Sequence, residues 1–339
     1  MKMSKKIISI ILTLAIFFAF AACGKTAQEK DPETTKAPEK KQTINIAALK
    51  GPTGMGISKL AEDAKNKKTI NDYNITLASS PEDIVSMISS GAVDIAMCPL
   101  NMASVLYNKT NKNVKMLGIN TLGVLYILEN GTTINSIKDL KGKTIYATGQ
   151  GSTPEFILNY LLEKNGLKVG TDVKIEYKTE HSELAALAAS GKANICLLPE
   201  PNVTVVTNQN PKIRIALDLT KEWEKINGQD NTLAQGCIIA NAKFLSKNEK
   251  AIKSFMKEYK SSVDFVNANK EEAAKYIVAQ GILPKEPIAI KAIPNCNMTF
   301  IEGKDMKRIA KQNLQVFFDS NPQSVGKVLP DDSFYYNAK

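Results

Sequence analysis

The chain has 339 residues, of which 43% are hydrophobic and 23% charged, so most of it has a globular composition and is neither disordered nor fibrous. Its formal net charge is +10, but only Arg214 and Arg308 among the 44 basic residues are arginine. Because nucleic-acid readers rely on the bidentate arginine fork, this composition argues against a nucleic-acid partner. A single histidine and five cysteines without metal-ligand spacing argue against a metal site, and we expect no cofactor.

The first 42 residues predict export and attachment to a membrane. Three lysines precede sixteen uncharged, mostly apolar residues at 7–22, a run shorter than a membrane span of about 20 residues and typical of a signal peptide. The run ends in Phe20-Ala21-Ala22-Cys23, which resembles a bacterial lipobox and implies cleavage before Cys23 and lipidation of its sulfur. Ordinary secretion after Ala22 is the alternative. Residues 23–42 are polar and predict a flexible, lipid-anchored linker. We therefore expect a lipoprotein on the extracellular face of the cell membrane, of the Gram-positive surface type.

Two stretches of the chain repeat one pattern of predicted elements at a spacing of 100 residues. A strand at 43–48 precedes a Gly-containing loop and a helix, and a strand at 143–147 does the same. Further on, a helix ending at Ser90-Gly91 is matched by one ending at Ser190-Gly191, and each is followed by a strand that runs into proline. Each stretch predicts a βαβαβ unit with a mainly parallel sheet and helices on both faces.

The predicted fold class is α/β, with two doubly wound lobes joined by two crossing strands and C-terminal helices on the first lobe. The crossing strands are expected at 118–130 and 233–240, and the C-terminal helices at 248–266, 270–279 and 304–318. The predicted boundaries are 1–22 for the signal peptide, 23–42 for the linker, 43–122 for the first part of lobe 1, 123–232 for lobe 2 and 233–339 for the return to lobe 1.

Five segments carry a resemblance to a known family. They are LKGPTG (49–54), SSGAVDI (89–95), IKDLKGKTI (137–145), LPEP (198–201) and DLTKEW (218–223). With the lipobox and the predicted lobes, they make the chain similar to the type II solute-binding proteins of ABC importers. More narrowly, it resembles the branch that binds nitrate, alkanesulfonates and taurine, or thiamine and its pyrimidine precursor. The resemblance implies a type II periplasmic-binding-protein fold that closes on a small-molecule solute and docks on an ABC transporter permease. We expect a monomer.

An enzyme is not expected, and no catalytic residue is predicted. The chain has no Gly-x-Ser-x-Gly elbow and no cluster of metal ligands. Its one histidine, His181, has no fixed partner in the sequence and begins a predicted helix at the position that Pro81 occupies in the first stretch.

Ligands of open α/β sheets bind at the carboxyl ends of the strands, which predicts a cleft lined by loops at 50–54, 78–81, 98–102, 149–154, 178–182 and 198–202. Thr53 and Thr153 stand where helices begin and are expected to bind an anion or polar oxygen, or else only to cap their helices. Glu200, between two prolines, suits a cation or a donor-rich ring, or else pairs with a lysine. Lys50 suits an anionic group, or else is only solvated.

Two aromatic residues and one amide complete the predicted site. Trp223 and Tyr146 are expected either to stack on a ring or to belong to the core. Gln235 is expected on the cleft floor. The full set of predicted ligand-binding residues is Lys50, Gly51, Pro52, Thr53, Gly54, Ser80, Pro99, Asn101, Tyr146, Gly151, Ser152, Thr153, Glu200, Trp223 and Gln235.

The ligand prediction follows from these side chains. Glu200, Trp223 and Tyr146 favour thiamine, its pyrimidine precursor or a similar flat nitrogenous compound. An alkanesulfonate, taurine or nitrate is the alternative, because Lys50 and two helix starts suit an anion. A surface adhesin or sensor on the same fold is the alternative of another class.

Overall fold

The computed structural model describes residues 41–337. The predicted signal peptide, the predicted lipidation site Cys23 and most of the predicted linker lie outside the described residues. Within residues 41–337, no helix is long and apolar enough to cross a membrane. The strands are β1 (Thr43–Leu49), β2 (Asp72–Ala78), β3 (Ile95–Pro99), β4 (Val114–Leu122), β5 (Leu125–Glu129), β6 (Thr144–Thr148), β7 (Lys174–Lys178), β8 (Ile195–Pro199), β9 (Arg214–Asp218), β10 (Ala234–Asn241) and β11 (Met298–Ile301).

The helices surround two sheets, and short 3₁₀ turns at Ile137–Leu140, Ile293–Asn295, Pro322–Val325 and Asp332–Phe334 connect or end them. The helices are α1 (Pro52–Gly56), α2 (Ser58–Lys65), α3 (Pro81–Ser90), α4 (Leu100–Lys109), α5 (Thr153–Lys164), α6 (His181–Ala189), α7 (Asn202–Gln209), α8 (Leu219–Asn227), α9 (Ala242–Lys247), α10 (Glu249–Ala268), α11 (Lys270–Ala279), α12 (Glu286–Ala292) and α13 (Gly303–Ser320).

The two sheets define two lobes. The sheet of lobe 1 has the strand order β11-β4-β10-β3-β1-β2, and that of lobe 2 has the order β7-β6-β8-β5-β9. In lobe 1, β1 runs parallel to β2 and β3, while β10 is antiparallel to β3 and β4. In lobe 2, β6 runs parallel to β7 and β8, while β5 is antiparallel to β8 and β9. The predicted α/β fold with two wound lobes is therefore confirmed.

The repeat at a spacing of 100 residues is a repeat of structure. β1, β2 and β3 of lobe 1 correspond to β6, β7 and β8 of lobe 2, and α3 corresponds to α6. Local signals fix these boundaries. The Ser80 hydroxyl accepts a hydrogen bond from Asp83 N–H at 3.2 Å at the start of α3, and Gly91 ends that helix with φ of 77°.

The crossings between the lobes are shorter than the sequence predicts. The run 118–130 is broken at Gly123-Val124, where the chain passes from β4 of lobe 1 to β5 of lobe 2. Only glycine fits at 123, because a Cβ there would lie 2.1 Å from the Thr220 hydroxyl oxygen. The second crossing lies between α8 and β10, and β10 itself belongs wholly to the sheet of lobe 1.

Both faces of the lobe 1 sheet are buried, which is typical of wound α/β sheets. Ile44, Ile46 and Ala48 of β1 face a cluster that contains Phe255 and Tyr259 of α10. Ala47 lies on the opposite face, in the cluster that contains residues of α3 and α4. The C-terminal helices α10 and α11 pack on α2 of lobe 1, whereas α13 packs on α4 and β4 of lobe 1 and also on α5 of lobe 2.

Candidate functional site

Three adjoining cavities form a cleft between the lobes. The cavities have volumes of about 480, 100 and 220 Å³, and we call them the outer, inner and side cavities. Leu49, Pro99 and Pro154 line both the outer and the inner cavity, while Lys50 and Gly51 line both the inner and the side cavity. All these residues lie at or just beyond the carboxyl ends of strands, where wound α/β sheets bind ligands.

Glu200 is the buried charged group of the inner cavity. It directly follows β8, and only 2% of its surface is exposed. One carboxylate oxygen accepts a hydrogen bond from Thr204 N–H and the other from the Thr204 hydroxyl, each at 3.0 Å. Burial raises the pKa of Glu200 despite the hydrogen bonds from Thr204 and from Asn295 of lobe 1, which lower it. The side chain is therefore a hydrogen-bonding group at the boundary of the two lobes.

Gln235 lies on the wall of the same cavity. It is 7% exposed, and its Oε1 accepts a hydrogen bond from Val124 N–H at the first crossing. Its Nε2 has no hydrogen-bond partner among the described residues, so it can donate to a solute. At the next position, a Cβ on Gly236 would lie 2.6 Å from Asn120 Oδ1, so a larger residue there would displace the Asn120 side chain.

The loop after β1 supplies the cationic side of the cleft. Lys50 is exposed and lines the inner and side cavities, and Pro52 and Thr53 line the inner one. Gly51 has φ of 125°, a conformation that favours glycine, and it precedes the first residue of α1. Lys178, at the end of β7, lines the outer cavity.

The two threonines predicted as anion ligands use their hydroxyls within the protein. Thr53 donates to the carbonyl of Leu49 at 2.7 Å, and Thr153 donates to Asn101 Oδ1 at 3.0 Å. At the start of α5 the Gly151 N–H donates to the Glu155 carboxylate at 2.5 Å. Because the Glu155 carboxylate already accepts from this N–H, the start of α5 offers an anionic solute fewer free donors than the sequence predicts.

Trp223 does not lie in the cleft, which corrects the expectation that it stacks on a ligand. It is fully buried, its indole N–H donates to the carbonyl of Asn231 at 2.9 Å, and its ring packs 5.2 Å from that of Tyr160. The amphipathic pattern of α8 turns this residue inward, toward the core.

Four further predicted residues lie outside the cavity walls. Tyr146 lines a separate depression with Glu129 and Lys192, because its side chain leaves β6 in mid-strand and not at the carboxyl end. Ser80 caps α3, and Gly54 is buried against the Leu49 carbonyl. Asn101 is 1% exposed and bonds to residues around the cleft instead of lining it. Gly151, Ser152 and Pro99 line the outer cavity.

His181 is the residue that the sequence reasoning missed. It lines all three cavities, and its Nδ1 lies 2.5 Å from the hydroxyl oxygen of Thr148. The predicted loop 178–182 contains it, so the repeat already placed it beside the cleft. The contact with Thr148 joins residues 33 positions apart and leaves no local signal in the sequence.

Comparison with known protein families identifies the family of this chain. The model of the family described as "NMT1/THI5 like" matches residues 72–273, and the chain belongs to this family. Comparison with curated protein sequences finds no significant match.

Solved structures share the fold at low identity. An ABC transporter structure from Parabacteroides distasonis is 21% identical, with a TM-score of 0.72, and the match covers 88% of this chain and 100% of that one. The periplasmic aliphatic sulphonate binding protein SsuA of Escherichia coli is 16% identical, with a TM-score of 0.70 and coverage of 88% and 94%. The periplasmic nitrate-binding protein NrtA of Synechocystis is 14% identical, with a TM-score of 0.62 and coverage of 84% of both chains. The fold is that of the type II periplasmic binding proteins.

Proposed function

We propose that this protein is the solute-binding component of an ABC importer, which holds a small solute between its two lobes and delivers it to a permease. The observation that carries the proposal is the cleft, where loops from both lobes meet around a buried carboxylate and a buried amide. Family membership and fold support the same function. The predicted lipid anchor at Cys23 would keep such a protein beside its permease on the outer face of the membrane.

We propose that the solute is a flat nitrogenous compound, such as thiamine or its pyrimidine precursor. The inner cavity offers the carboxylate of Glu200 to donors of the solute and the amide nitrogen of Gln235 to an acceptor. The internal hydrogen bonds of Thr53 and Thr153 weaken the case for an anion. Trp223 gives no support here, because it lies in the core.

An alkanesulfonate, taurine or nitrate is the second candidate. Lys50 and Lys178 line the cleft and would attract a negative charge, and two of the structural neighbours are a sulphonate-binding protein and a nitrate-binding protein. A surface adhesin or sensor would share the cleft but would not supply a permease, so uptake of solute by cells separates that function from import.

A thermal-shift panel on the full-length protein in mild detergent tests the ligand. The panel contains thiamine, hydroxymethylpyrimidine, riboflavin, taurine, longer alkanesulfonates and nitrate. A solute at 100 times its dissociation constant should stabilise the protein by about 2.7 kcal/mol, which a melting curve detects. A shift with thiamine or its pyrimidine that Glu200→Gln removes supports the proposed ligand. A shift with sulfonates or nitrate alone, lost in Lys50→Ala, would replace it with the second candidate.

A further inference from the structure

His181 lies where the three cavities of the cleft meet. It is the first residue of α6 and the only histidine of the chain, and it lines the outer, inner and side cavities. Its side chain is partly buried. A hydrogen-bonding ring at the junction of three cavities can distinguish solutes that donate a hydrogen bond there from solutes that accept one.

The contact with Thr148 decides which ring nitrogen carries the proton. Thr148 ends β6, is 2% exposed, and bonds through its hydroxyl to His181 Nδ1 and to no other group within residues 41–337. If Nδ1–H donated to this oxygen, the hydroxyl hydrogen would be buried without an acceptor, which is unfavourable. The hydroxyl therefore donates to Nδ1, which leaves the ring proton on Nε2.

The ring is neutral at physiological pH. Burial lowers the pKa of His181 to about 4. Two lysines and three glutamates line the same cavities. They are Lys50, Lys178, Glu82, Glu180 and Glu200. Because the imidazole is neutral and Nδ1 accepts from Thr148, Nε2 carries the ring proton and acts only as a donor. Nε2 has no hydrogen bond to another described residue.

We propose that His181 determines specificity by offering its Nε2–H to a hydrogen-bond acceptor of the solute, and that Thr148 is the positioning residue that fixes this tautomer. The proposal rests on the proposed function of the cleft. The solute must present a ring nitrogen or an oxygen to His181, and a second acceptor can meet Nε2 of Gln235. A solute with only donors at these positions is rejected, because two N–H groups would be left without acceptors.

Nuclear magnetic resonance tests the tautomer without any solute. The full-length protein, made without a histidine tag and labelled with ¹⁵N in histidine, gives one pair of imidazole nitrogens. We expect the proton on Nε2 in the wild type, a mixture of tautomers in Thr148→Val, and the wild-type state again in Thr148→Ser, which keeps the hydroxyl. A proton on Nδ1 in the free protein would overturn the proposal.

Binding tests the role in specificity, with hydroxymethylpyrimidine and taurine as the probes. We expect His181→Phe, which keeps a ring but loses the donor, to weaken binding of either probe that the wild type binds about 10- to 100-fold, since a ring nitrogen or a sulfonate oxygen of the solute loses its partner. Glu183→Gln, on the exposed side of the same helix, is the control and should bind as the wild type does. Unchanged affinity in His181→Phe would contradict the proposal. If neither probe binds the wild type, the proposed ligands fail, while the tautomer spectrum still decides the state of His181.

Discussion

The carboxylate of Glu200 links the cleft to the stability of the fold. Burial raises its pKa above that of a carboxyl group in the unfolded chain, so the folded state keeps the proton to higher pH. The contribution of this group to stability is therefore present at low pH and is lost as the pH rises through the folded pKa. A buried carboxyl group with a raised pKa in a cleft is a candidate for ligand binding.

Glu200→Gln should make the free energy of unfolding less dependent on pH. The amide keeps an acceptor for Thr204 N–H but carries no charge to desolvate. Urea unfolding between pH 4 and 8 should show a smaller decline with rising pH in the variant than in the wild type. Glu183→Gln is the matched control on an exposed site. If the free energy of unfolding depended on pH equally in the wild type and in Glu200→Gln, Glu200 would have the same pKa in the folded and unfolded states.

Glu129 has the opposite pH behaviour. Burial would raise its pKa, but hydrogen bonds from Thr133, Ile134 and Arg214 outweigh burial and lower it. The Arg214–Glu129 ion pair spans 2.6 Å, with the Glu129 side chain only 4% exposed. Its stabilisation is present above the unfolded carboxyl pKa and is lost as the pH falls through the folded value.

Arg214→Ala should lower the free energy of unfolding by about 1–3 kcal/mol at pH 7, because it leaves a buried carboxylate without its cation. The deficit should shrink in acid, where Glu129 takes up a proton. Denaturant unfolding at pH 7 and pH 4 measures both effects. Lys212→Ala, an exposed cation two residues away, should change little. A similar small loss in both variants would contradict this account.

Among the elements, the start of α4 joins both lobes and the C-terminal segment. Asn101 Nδ2 donates to the carbonyl of Gly151 at 3.3 Å and to that of Ser324 at 3.1 Å, while its Oδ1 accepts from the Thr153 hydroxyl at 3.0 Å. One buried amide thus fixes the loop before α5, which lines the outer cavity, relative to α4.

Asn101→Asp should destabilise the protein by about 2–4 kcal/mol. The carboxylate can still accept from Thr153 but cannot donate to either carbonyl, and it places a charge at a site that is 1% exposed. Thermal or urea unfolding measures the loss. Lys109→Ala, at the exposed end of the same helix, is the control. If Asn101→Asp were as stable as Lys109→Ala, the Asn101 amide would not be needed to link α4 to the loop before α5 and to the C-terminal segment.

The elements also show what the sequence can and cannot predict. The repeat located β1, β3, β6 and β8 and the loops that end them, because strand and turn signals are local. Which side chain of a loop enters the cleft depends on contacts across the chain, such as those of His181 with Thr148 and of Asn101 with Ser324. The seven-residue helix α12 was missed, since its packing on α11 and not its own pattern stabilises it.

In the molecule as a whole, the lobes meet on more than one side of the cleft. α12 of lobe 1 packs on α7 of lobe 2, and Lys291 Nζ donates to Asn208 Oδ1 at 3.0 Å. On another side, α13 packs on both α4 and α5. The C-terminal segment then returns to α4, where Tyr107 donates to Asp331 at 2.7 Å and the ring of Phe334 lies 5.0 Å from that of Tyr107.

Phe334→Ala should lower the free energy of unfolding by about 3–5 kcal/mol, although the residue lies only five positions from the last residue. Its ring is fully buried in the core that α4 and α13 share. Urea unfolding should show a lower midpoint with an unchanged slope. Val328→Ala, in the same segment but 63% exposed, provides the comparison. A loss below about 1 kcal/mol for Phe334→Ala would mean that the segment contributes little to the fold.

The strand order of lobe 1 sets an order of assembly. Lobe 2 takes its strands from one continuous stretch, 125–218, whereas the lobe 1 sheet has β10 between β4 and β3. A chain made from its N-terminus can therefore pair every strand of lobe 2 while lobe 1 still has a gap at its centre. At synthesis rates of about 5–20 residues per second, that gap stays open for on the order of ten seconds. During this time β3 and β4 each present to the gap an unpaired edge that needs protection from pairing with other chains.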